Sequence, residues 1–507
     1  EEKYDNFALS NTQLKGAVNT LNSPIKSVDK GIYTAQWSMG DVNDPNNAWY
    51  IGRTVESKDW VLFWEKGYGD DVPVNYPCGN YTVNDYETLA HAQKSFDFYA
   101  DSLKFIDRNN SKTNQYKMVI RLRYSETEWE ATGSGVDDCI GLLTLTPWAQ
   151  TSRNWQTVYH ECGHCFQYQT HCDNGDWNGW MYKVGPNGTA FWEQCAQLQA
   201  YKIMPYDQFT NEWFNGYMSR VHKHILHETP RYENYFIQDY WSMKHGMDIV
   251  AKMWDQCRDP EDAVQTYQRI TGITNRQFND EMWDCAARFA TWDIPHLQPY
   301  HNDTWKNRPQ PTLTRDADKY WVISPDFAPE NTGHNIIKLN VPTRATQVTA
   351  CFEGLAGDSR FRDNYAQQAG WRYGFVALKS DGTRLYSTMG DRASYASPCD
   401  TVRFDVPAGC TNLWFVVSGA STSYRMHGWD DDDTNDEQLG YRVRFDSTNL
   451  LGQTTDHITA LHYALSATTD EPTGIYTLTG VRVRQDNNTQ GLPAGLYLVG
   501  GKAITIN

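Results

Sequence analysis

The stretch His160-Glu161-Cys162-Gly163-His164 lies inside residues 153–170, a segment whose pattern predicts a helix. Residues four apart on a helix lie one above the other, so the two imidazoles can share one metal ion. Glu161 is rotated by about 100° from His160, which leaves its carboxylate free to hold a water molecule beside that ion. Histidines with an ordinary structural role are the alternative interpretation, and the residues downstream argue against it.

A catalytic zinc ion needs a third protein ligand and an open fourth position. The segment Thr189 to Gln197 has a helical period and contains one carboxylate, Glu193. The Gly-, Asn- and Asp-rich connection from Cys172 to Gly188 allows this second helix to fold back on the first. The sequence therefore predicts His160, His164 and Glu193 as zinc ligands and Glu161 as the general base of a hydrolase.

Two further features of this region have more than one interpretation. Tyr240 and His245, on a predicted later helix, are candidate donors to a reaction oxyanion, and packing or surface roles are the alternative. Cys162 and Cys165 have the spacing of a thiolate metal site or a redox pair, but no second C-x-x-C pair completes a four-thiolate site. Packing of small buried volumes is the favoured interpretation of Cys162 and Cys195.

The order of predicted elements indicates an α+β fold, with strands leading into a helical half. Expected strands are Ile32 to Trp37, Trp60 to Trp64, residues 116–124 and Gly141 to Leu145. Expected helices are residues 84–105, 153–170, 188–204, 210–227, 237–257 and 275–290.

The chain divides into three predicted domains. Residues 1–310 form the catalytic unit, and Pro295 to Pro311 breaks its pattern. Residues 311–452 contain short β-rich runs separated by turns, which predicts an all-β sandwich. Residues 453–507 form a small C-terminal β unit.

Charge and hydropathy exclude several classes of partner. The formal net charge of −17 argues against nucleic acid, whose phosphates need Lys and Arg. No apolar run is long enough to span a membrane. The 20 Trp and 31 Tyr are compatible with carbohydrate-contacting surfaces, although aromatic residues also fill cores.

Two other clusters could bind cations. His222, His224 and His227 have spacings that could form a second metal face, and a solvated helix surface is the favoured alternative. The acidic run from Asp430 to Glu437 could bind calcium, but it lacks EF-hand spacing, so a solvated loop is favoured there as well.

The pattern H-E-x-G-H-x-x-Q followed by W-E-x-x-A resembles the gluzincin metallopeptidases, and Gln167 and Trp192 match it as well as the ligands do. Within this group it is most similar to an uncharacterised bacterial family of metallopeptidase type, and more distantly to enhancin-type, mucin-targeting peptidases. The resemblance continues through Trp371 to Val376 and Leu413 to Ala420, and so spans roughly residues 30–450. It implies a zincin-like fold and one zinc ion.

One position departs from the thermolysin-like pattern. Those enzymes carry an Asp four residues after the glutamate ligand, and this chain has Gln197 there. The groups that orient the ligand imidazoles must therefore be built differently.

The C-terminal residues Gly474 to Val483 and Gly495 to Ile504 resemble the sorting-type β-domain that closes many exported bacterial proteins. We therefore expect an extracellular or cell-surface peptidase acting on proteins or glycoproteins. The alternative is a non-catalytic surface protein that binds glycan or glycoprotein and keeps a structural metal site. A general base such as Glu161 is needed only by the enzyme.

Overall fold

The computed structural model describes residues 30–151, 155–175, 189–392, 399–428, 432–455, 474–477, 482–499 and 502–506. Within these residues the chain is α+β, as the sequence predicts. Strands come first, helices follow, and residues 313–446 form a second β-rich region. Most of the predicted connection between Cys172 and Gly188 lies outside the described residues.

The first sheet has the order β2-β3-β6-β8-β7, with β1 also paired to β6. Its central strands β3, β6 and β8 are parallel, whereas β7 runs antiparallel to β8 at one edge. All five side chains of β3 are buried because both faces of the sheet are covered. The strands of this region are β1 (Gly31–Ile32), β2 (Thr54–Glu56), β3 (Trp60–Trp64), β4 (Val74–Cys78), β5 (Tyr81–Asn84), β6 (Tyr116–Leu122), β7 (Ala131–Val136) and β8 (Ile140–Leu145).

The helices of the first region pack on this sheet and on one another. Asn84 caps the first long helix by accepting a hydrogen bond from the Glu87 N–H, as its sequence predicts. The helices are α1 (Gln36–Met39), α2 (Asp85–Asp101), α3 (Trp155–Asn174), α4 (Thr189–Ile203), α5 (Glu212–Arg220), α6 (Phe236–His245), α7 (Ile249–Gln256), α8 (Ala263–Thr271) and α9 (Asn275–Phe289).

Three predicted elements differ from the structure. The expected strand Ile32 to Trp37 ends at Ile32, and α1 follows because Ala35 and Met39, four apart, are both buried. The expected helix 237–257 is interrupted after His245, where Gly246 adopts a φ of 98°.

The expected helix 210–227 ends at Arg220 for a tertiary reason. The carbonyl oxygens of Val221 and His222 accept hydrogen bonds from the backbone N–H groups of His334 and Glu330 in the β-rich region. The interpretation of His224 and His227 as a solvated helix surface is therefore wrong, because both are buried outside any helix.

The β-rich region contains two antiparallel sheets, β16-β12-β18-β10-β9 and β11-β17-β13-β14, with β15 paired to β13. Aromatic side chains fill the space between them, among them Phe352, Tyr373 and Phe415. Their strands are β9 (Leu313–Arg315), β10 (Trp321–Ile323), β11 (His334–Leu339), β12 (Thr346–Gly354), β13 (Trp371–Lys379), β14 (Arg384–Tyr386), β15 (Gly390–Arg392), β16 (Asp400–Val406), β17 (Cys410–Gly419) and β18 (Tyr441–Asp446).

Strand β17 is buried on both faces. Leu413, Phe415 and Val417 point into the sandwich core, while Trp414 and Val416 belong to the core of the helical region. This explains the continuous apolar run in its sequence, since successive side chains of a strand point to opposite faces. The sandwich is thus packed against the helical half through α9 and β17.

The described C-terminal residues form a four-stranded sheet in the order β20-β19-β21-β22. Its strands are β19 (Ile475–Thr477), β20 (Arg482–Arg484), β21 (Gly495–Val499) and β22 (Lys502–Ile506). A disulfide joins Cys351 and Cys399 in the sandwich. Among the described residues, no helix is both long and apolar enough to cross a membrane.

We expect Trp283→Ala to weaken the packing of the sandwich against the helical region and so to destabilise the protein. Trp283 is buried on α9, and its indole N–H donates to the Val416 carbonyl oxygen at 3.2 Å. Loss of this ring should lower the free energy of unfolding by about 3–5 kcal/mol, measured by urea denaturation. Trp129→Ala, which removes an indole that is 75% exposed, is the control and should change it by less than roughly 1 kcal/mol. Equal effects of the two substitutions would contradict this account of the interface.

Candidate metal centre

Helices α3 and α4 bring the three predicted ligands together. His160 Nε2 and His164 Nε2 lie 3.1 Å apart, and Glu193 Oε2 lies 3.0 Å from the first and 3.3 Å from the second. The two nitrogens and the oxygen form a nearly equilateral triangle. Ligands about 2.0–2.1 Å from a tetrahedral zinc ion are separated by about 3.3 Å, so the donor set fits such an ion.

The ligand triangle keeps partial access to solvent. His160 is buried, whereas His164, Glu161 and Glu193 each keep partial exposure to solvent. Among the described residues, the group at this site contains three protein ligands, His160, His164 and Glu193. A tetrahedral ion held there has room for one further ligand from solution.

The ionisation of each side chain in the triangle depends on the charge of the other two. Burial alone disfavours a charged imidazole, but the adjacent Glu193 carboxylate overrides this and raises the pKa of His164 to about 9. Burial opposes ionisation of Glu193 as well, yet the two imidazoles hold its pKa well below the usual range. The imidazoles and the Glu193 carboxylate therefore stabilise one another as an ion pair.

Glu161 faces the same space and is fixed by the edge strand of the sheet. The Gly133 N–H of β7 donates to Glu161 Oε2 at 2.6 Å. A Cβ at position 133 would lie 1.9 Å from the Glu161 carbonyl oxygen, so only glycine allows β7 to approach α3 this closely. Burial raises the pKa of the Glu161 carboxyl group, which favours uptake of a proton.

Glutamine side chains orient both imidazoles. Gln197 Oε1 lies 3.3 Å from His160 Nδ1, and Gln167 Oε1 lies 3.0 Å from His164 Nδ1. Gln197 Oε1 also accepts a hydrogen bond from Gln156, and the Gln167 amide donates to the Trp192 carbonyl oxygen. Since an amide oxygen only accepts, each Nδ1 carries a proton, and Nε2 is in each ring the nitrogen that faces the centre of the triangle and would bind a metal.

Gln197 thus occupies the position of the thermolysin-like aspartate and performs a similar orienting task without a charge. The sequence showed that this position differs from the thermolysin-like pattern, but it did not show which residue orients the imidazoles instead. The packing of α4 against α3 shows that Gln197 itself does so, because it places residue 197 beside His160.

Tyr232 is a site residue that the sequence analysis missed. Its ring lies 5.9 Å from that of His160, and its hydroxyl is close enough to the Glu193 carboxylate to interact with it electrostatically. Burial and the Glu193 carboxylate raise the pKa of Tyr232 to about 12, so the hydroxyl remains a proton donor. No motif marks it, because it lies in an irregular segment between α5 and α6.

Tyr240 and His245 make their contacts elsewhere. The Tyr240 hydroxyl is fully buried and donates to Asp284 at 2.8 Å. His245 Nε2 lies 2.8 Å from the Tyr267 hydroxyl. These contacts favour the packing interpretation of both residues over a role at the triangle.

The cysteines near the site are thiols in a packed interior. Cys162, Cys165 and Cys195 are buried and unbridged. Burial raises the pKa of Cys162 and of Cys195 to about 12 each. A thiolate is disfavoured in this environment, which agrees with the packing interpretation.

Comparisons with known proteins give a family but no activity. Residues 24–452 match the sequence model of DUF6055, described as a family of unknown function. No curated protein matches the chain significantly.

Three solved structures align with part of the chain, each with a TM-score of 0.17. The mitogen derived from Yersinia pseudotuberculosis is 9% identical, and the alignment covers 29% of this chain and 92% of that one. A mutant of a family 29 carbohydrate binding module is 10% identical, with coverage of 30% and 85%. The C-terminal family 22 carbohydrate binding module of Clostridium thermocellum Xyn10B is 10% identical, with coverage of 28% and 83%. Scores this low carry no argument about fold or function.

We expect Gln197→Met to weaken metal binding at the triangle by about 10–100-fold, because it removes the acceptor that fixes the His160 tautomer while keeping the side-chain length. Competition with a chromogenic chelator would measure this. Gln197→Glu is the matched control, since a carboxylate oxygen restores the acceptor and should restore affinity. The tautomer argument fails if both variants bind metal as tightly as the parent.

Proposed function

The chain belongs to DUF6055, a family of unknown function, and we propose that it is a zinc-dependent peptidase. The observation that carries the proposal is the convergence of His160, His164 and Glu193, to which the neighbouring Glu161 carboxylate is electrostatically coupled. The resemblance of these residues to the gluzincin pattern supports the same conclusion and favours a zincin-like catalytic domain. A zinc ion bound by this triangle supplies Lewis acidity and acidifies a coordinated water molecule.

Glu161 performs the proton transfers in this proposal. Gly133 holds one carboxylate oxygen, and the other takes a proton from the attacking water as its oxygen adds to the scissile carbonyl carbon. The carboxylic acid then returns that proton to the departing amide nitrogen. The C–N bond breaks, and Glu161 is again a carboxylate. Its raised pKa suits both steps.

Tyr232 is placed to stabilise the negative charge that develops on the carbonyl oxygen. Tyr232 is half-buried, and its hydroxyl is protonated and lies near Glu193. A preorganised donor of this kind contributes most when charge appears in the transition state. It takes the role that the sequence assigned provisionally to Tyr240 or His245.

Strand β7 offers a binding edge for the substrate backbone. It is the last strand of its sheet, and Thr132 and Ser134 on it are exposed on either side of Gly133. An extended peptide can add to such an edge through main-chain hydrogen bonds. This feature favours a protein or glycoprotein substrate bound in extended form across the site.

An extracellular or cell-surface location fits the Cys351–Cys399 disulfide, since disulfides persist in oxidising compartments. The alternative function, a surface glycan-binding protein with a structural metal, requires a closed site. The three-ligand group and the presence of Glu161 favour the enzyme.

The proposal predicts that metal binding and catalysis separate in two variants. Glu161→Gln should retain zinc, because Glu161 is not a ligand, and should lower peptide hydrolysis by at least about 10²–10⁴-fold. His160→Ala should lose both the zinc at this site and the activity. Mass spectrometry of the bound metal and a quenched fluorescent peptide library provide the two measurements. A parent protein that takes up no zinc when zinc is supplied would refute the peptidase proposal.

For Tyr232→Phe we expect kcat to fall by about 10²–10³-fold with little change in KM, because the lost donor acts mainly on the transition state. Tyr240→Phe is the matched control and should leave kcat within roughly threefold of the parent, since its hydroxyl contacts Asp284. The reverse order of effects would return the donor role to Tyr240.

A further inference from the structure

A second convergence of imidazoles and carboxylates lies where the helical region meets the sandwich. His227 comes from the segment between α5 and α6, and Glu330, His427 and Asp436 come from the sandwich region. These four side chains are 0%, 2%, 3% and 3% exposed, respectively. One donor atom from each lies within 4.8 Å of the others.

The spacing of these atoms is that of ligands around a common centre. His427 Nε2 lies 3.0 Å from Asp436 Oδ1 and 3.8 Å from Glu330 Oε2. His427 Nε2, His227 Nε2 and Asp436 Oδ2 are all buried, and none of them makes a hydrogen bond of good geometry. Buried polar atoms are almost always satisfied, so three such atoms that face one small space indicate a partner that would lie between them.

His427 has the tautomer of a metal ligand. Its Nδ1 lies 2.5 Å from the Gly428 carbonyl oxygen, which can only accept a hydrogen bond. Nδ1 therefore carries a proton, and Nε2 is the nitrogen that faces Glu330 and Asp436. Burial opposes a charge on the ring, but the carboxylates around Nε2 raise the pKa of His427 to about 9, so a metal ion bound there would displace the Nε2 proton. A ligand histidine whose other nitrogen donates to a carbonyl group is the usual arrangement at metal sites.

His227 has a different role. The Thr229 backbone N–H donates to His227 Nδ1 at 3.0 Å, which places the proton of the neutral ring on Nε2. That nitrogen lies 3.2 Å from Asp433 Oδ1 and 3.3 Å from Asp436 Oδ2. His227 therefore supports the carboxylates rather than acting as a ligand.

The cluster also lacks positive charge. Lys223 Nζ lies 3.1 Å from Glu330 Oε1 and 3.1 Å from Asp433 Oδ2. The four carboxylates of the cluster therefore face one ammonium group and the His427 ring, so carboxylates outnumber cationic groups even when that ring is protonated. Buried charge of one sign is costly unless a counter-ion is present. The carboxylates are those of Glu228, Glu330, Asp433 and Asp436.

We propose that His427, Glu330 and Asp436 bind a second divalent transition-metal ion of the zinc class, which joins the sandwich to the helical region. The imidazole nitrogen favours such an ion over calcium, which prefers an all-oxygen shell. The sequence marked two members of this cluster as separate weak signals, His227 in the His222–His227 segment and Asp436 in the acidic run, but it marked neither His427 nor Glu330. The favoured interpretation of that run as a solvated loop is wrong at Asp436 and Glu437, which are buried. Asp430 and Asp431 lie outside the described residues.

The ion would fix the segment that carries Tyr232. Glu330 Oε2 accepts a hydrogen bond from the His224 backbone N–H at 2.7 Å, so a ligand of the second ion also anchors this segment. Tyr232 follows a few residues later and reaches Glu193. This consequence, unlike the site itself, rests on the proposed peptidase function.

The test counts zinc ions in the full chain after stripping with a chelator and adding zinc, by calorimetric titration and mass spectrometry. We expect about two ions per chain in the parent and about one in His160→Ala, which retains only the second site. The double variant His160→Ala/His427→Ala should bind none. His160→Ala/His222→Ala is the matched control and should still bind about one, because His222 is outside the cluster. Asp436→Asn in the His160→Ala background serves as a second, nearly isosteric disruption.

Zinc should also raise the Tm of His160→Ala and leave that of the double variant unchanged. The proposal is overturned if folded His160→Ala binds no zinc, if Asp436→Asn does not weaken its binding, or if calcium binds there in preference to zinc. Failure of the peptidase proposal gives a different result. The parent would then bind only the second ion, and His160→Ala would not lower the number of zinc ions bound. A cluster that is only an ion-pair network would give no zinc-dependent change of Tm in His160→Ala.

Discussion

The candidate catalytic site depends on how closely helix α3 can be approached from two sides. On one side, a Cβ at Gly163 would lie 3.1 Å from the Ala196 Cα, so a larger residue there would press against α4. On the other side, Gly133 allows β7 to reach the backbone of Glu161. The contact with α4 sets the distance between Glu193 and the two histidines. The contact with β7 sets the position of the Glu161 carboxylate. A shift of either neighbour by an ångström would open the ligand triangle.

The two ligand imidazoles between α3 and α4 form hydrogen bonds through Nδ1 with neutral amide side chains rather than with charged ones. Gln156, Gln167 and Gln197 orient the imidazoles without adding a buried charge. A buried carboxylate at position 197 would increase the basicity of His160 but would need its own compensation. Like a carboxylate, the glutamine oxygens accept hydrogen bonds from the imidazoles, but they add no negative charge beside the ligands.

Local patterns in the sequence predicted the parts of the site that are local in the chain. The spacing of His160 and His164, the single carboxylate of the next helix and most helices and strands follow from periodicity and turn residues. The contribution of Tyr232 could not be predicted, because the segment that carries it has no regular structure and is held by Glu330, about a hundred residues away. The end of α5 at Arg220 has the same cause. Propensity would continue the helix, but backbone pairing with residues 330–334 outweighs it.

The most direct test of the account is anomalous diffraction at the zinc absorption edge from crystals of the full chain supplied with zinc. The account predicts an anomalous peak about 2.0–2.1 Å from His160 Nε2, His164 Nε2 and Glu193, with a fourth position open to solvent. Absence of a peak between these three side chains would contradict it. A peak there whose fourth position is filled by another protein side chain would contradict the catalytic role and leave a structural metal site.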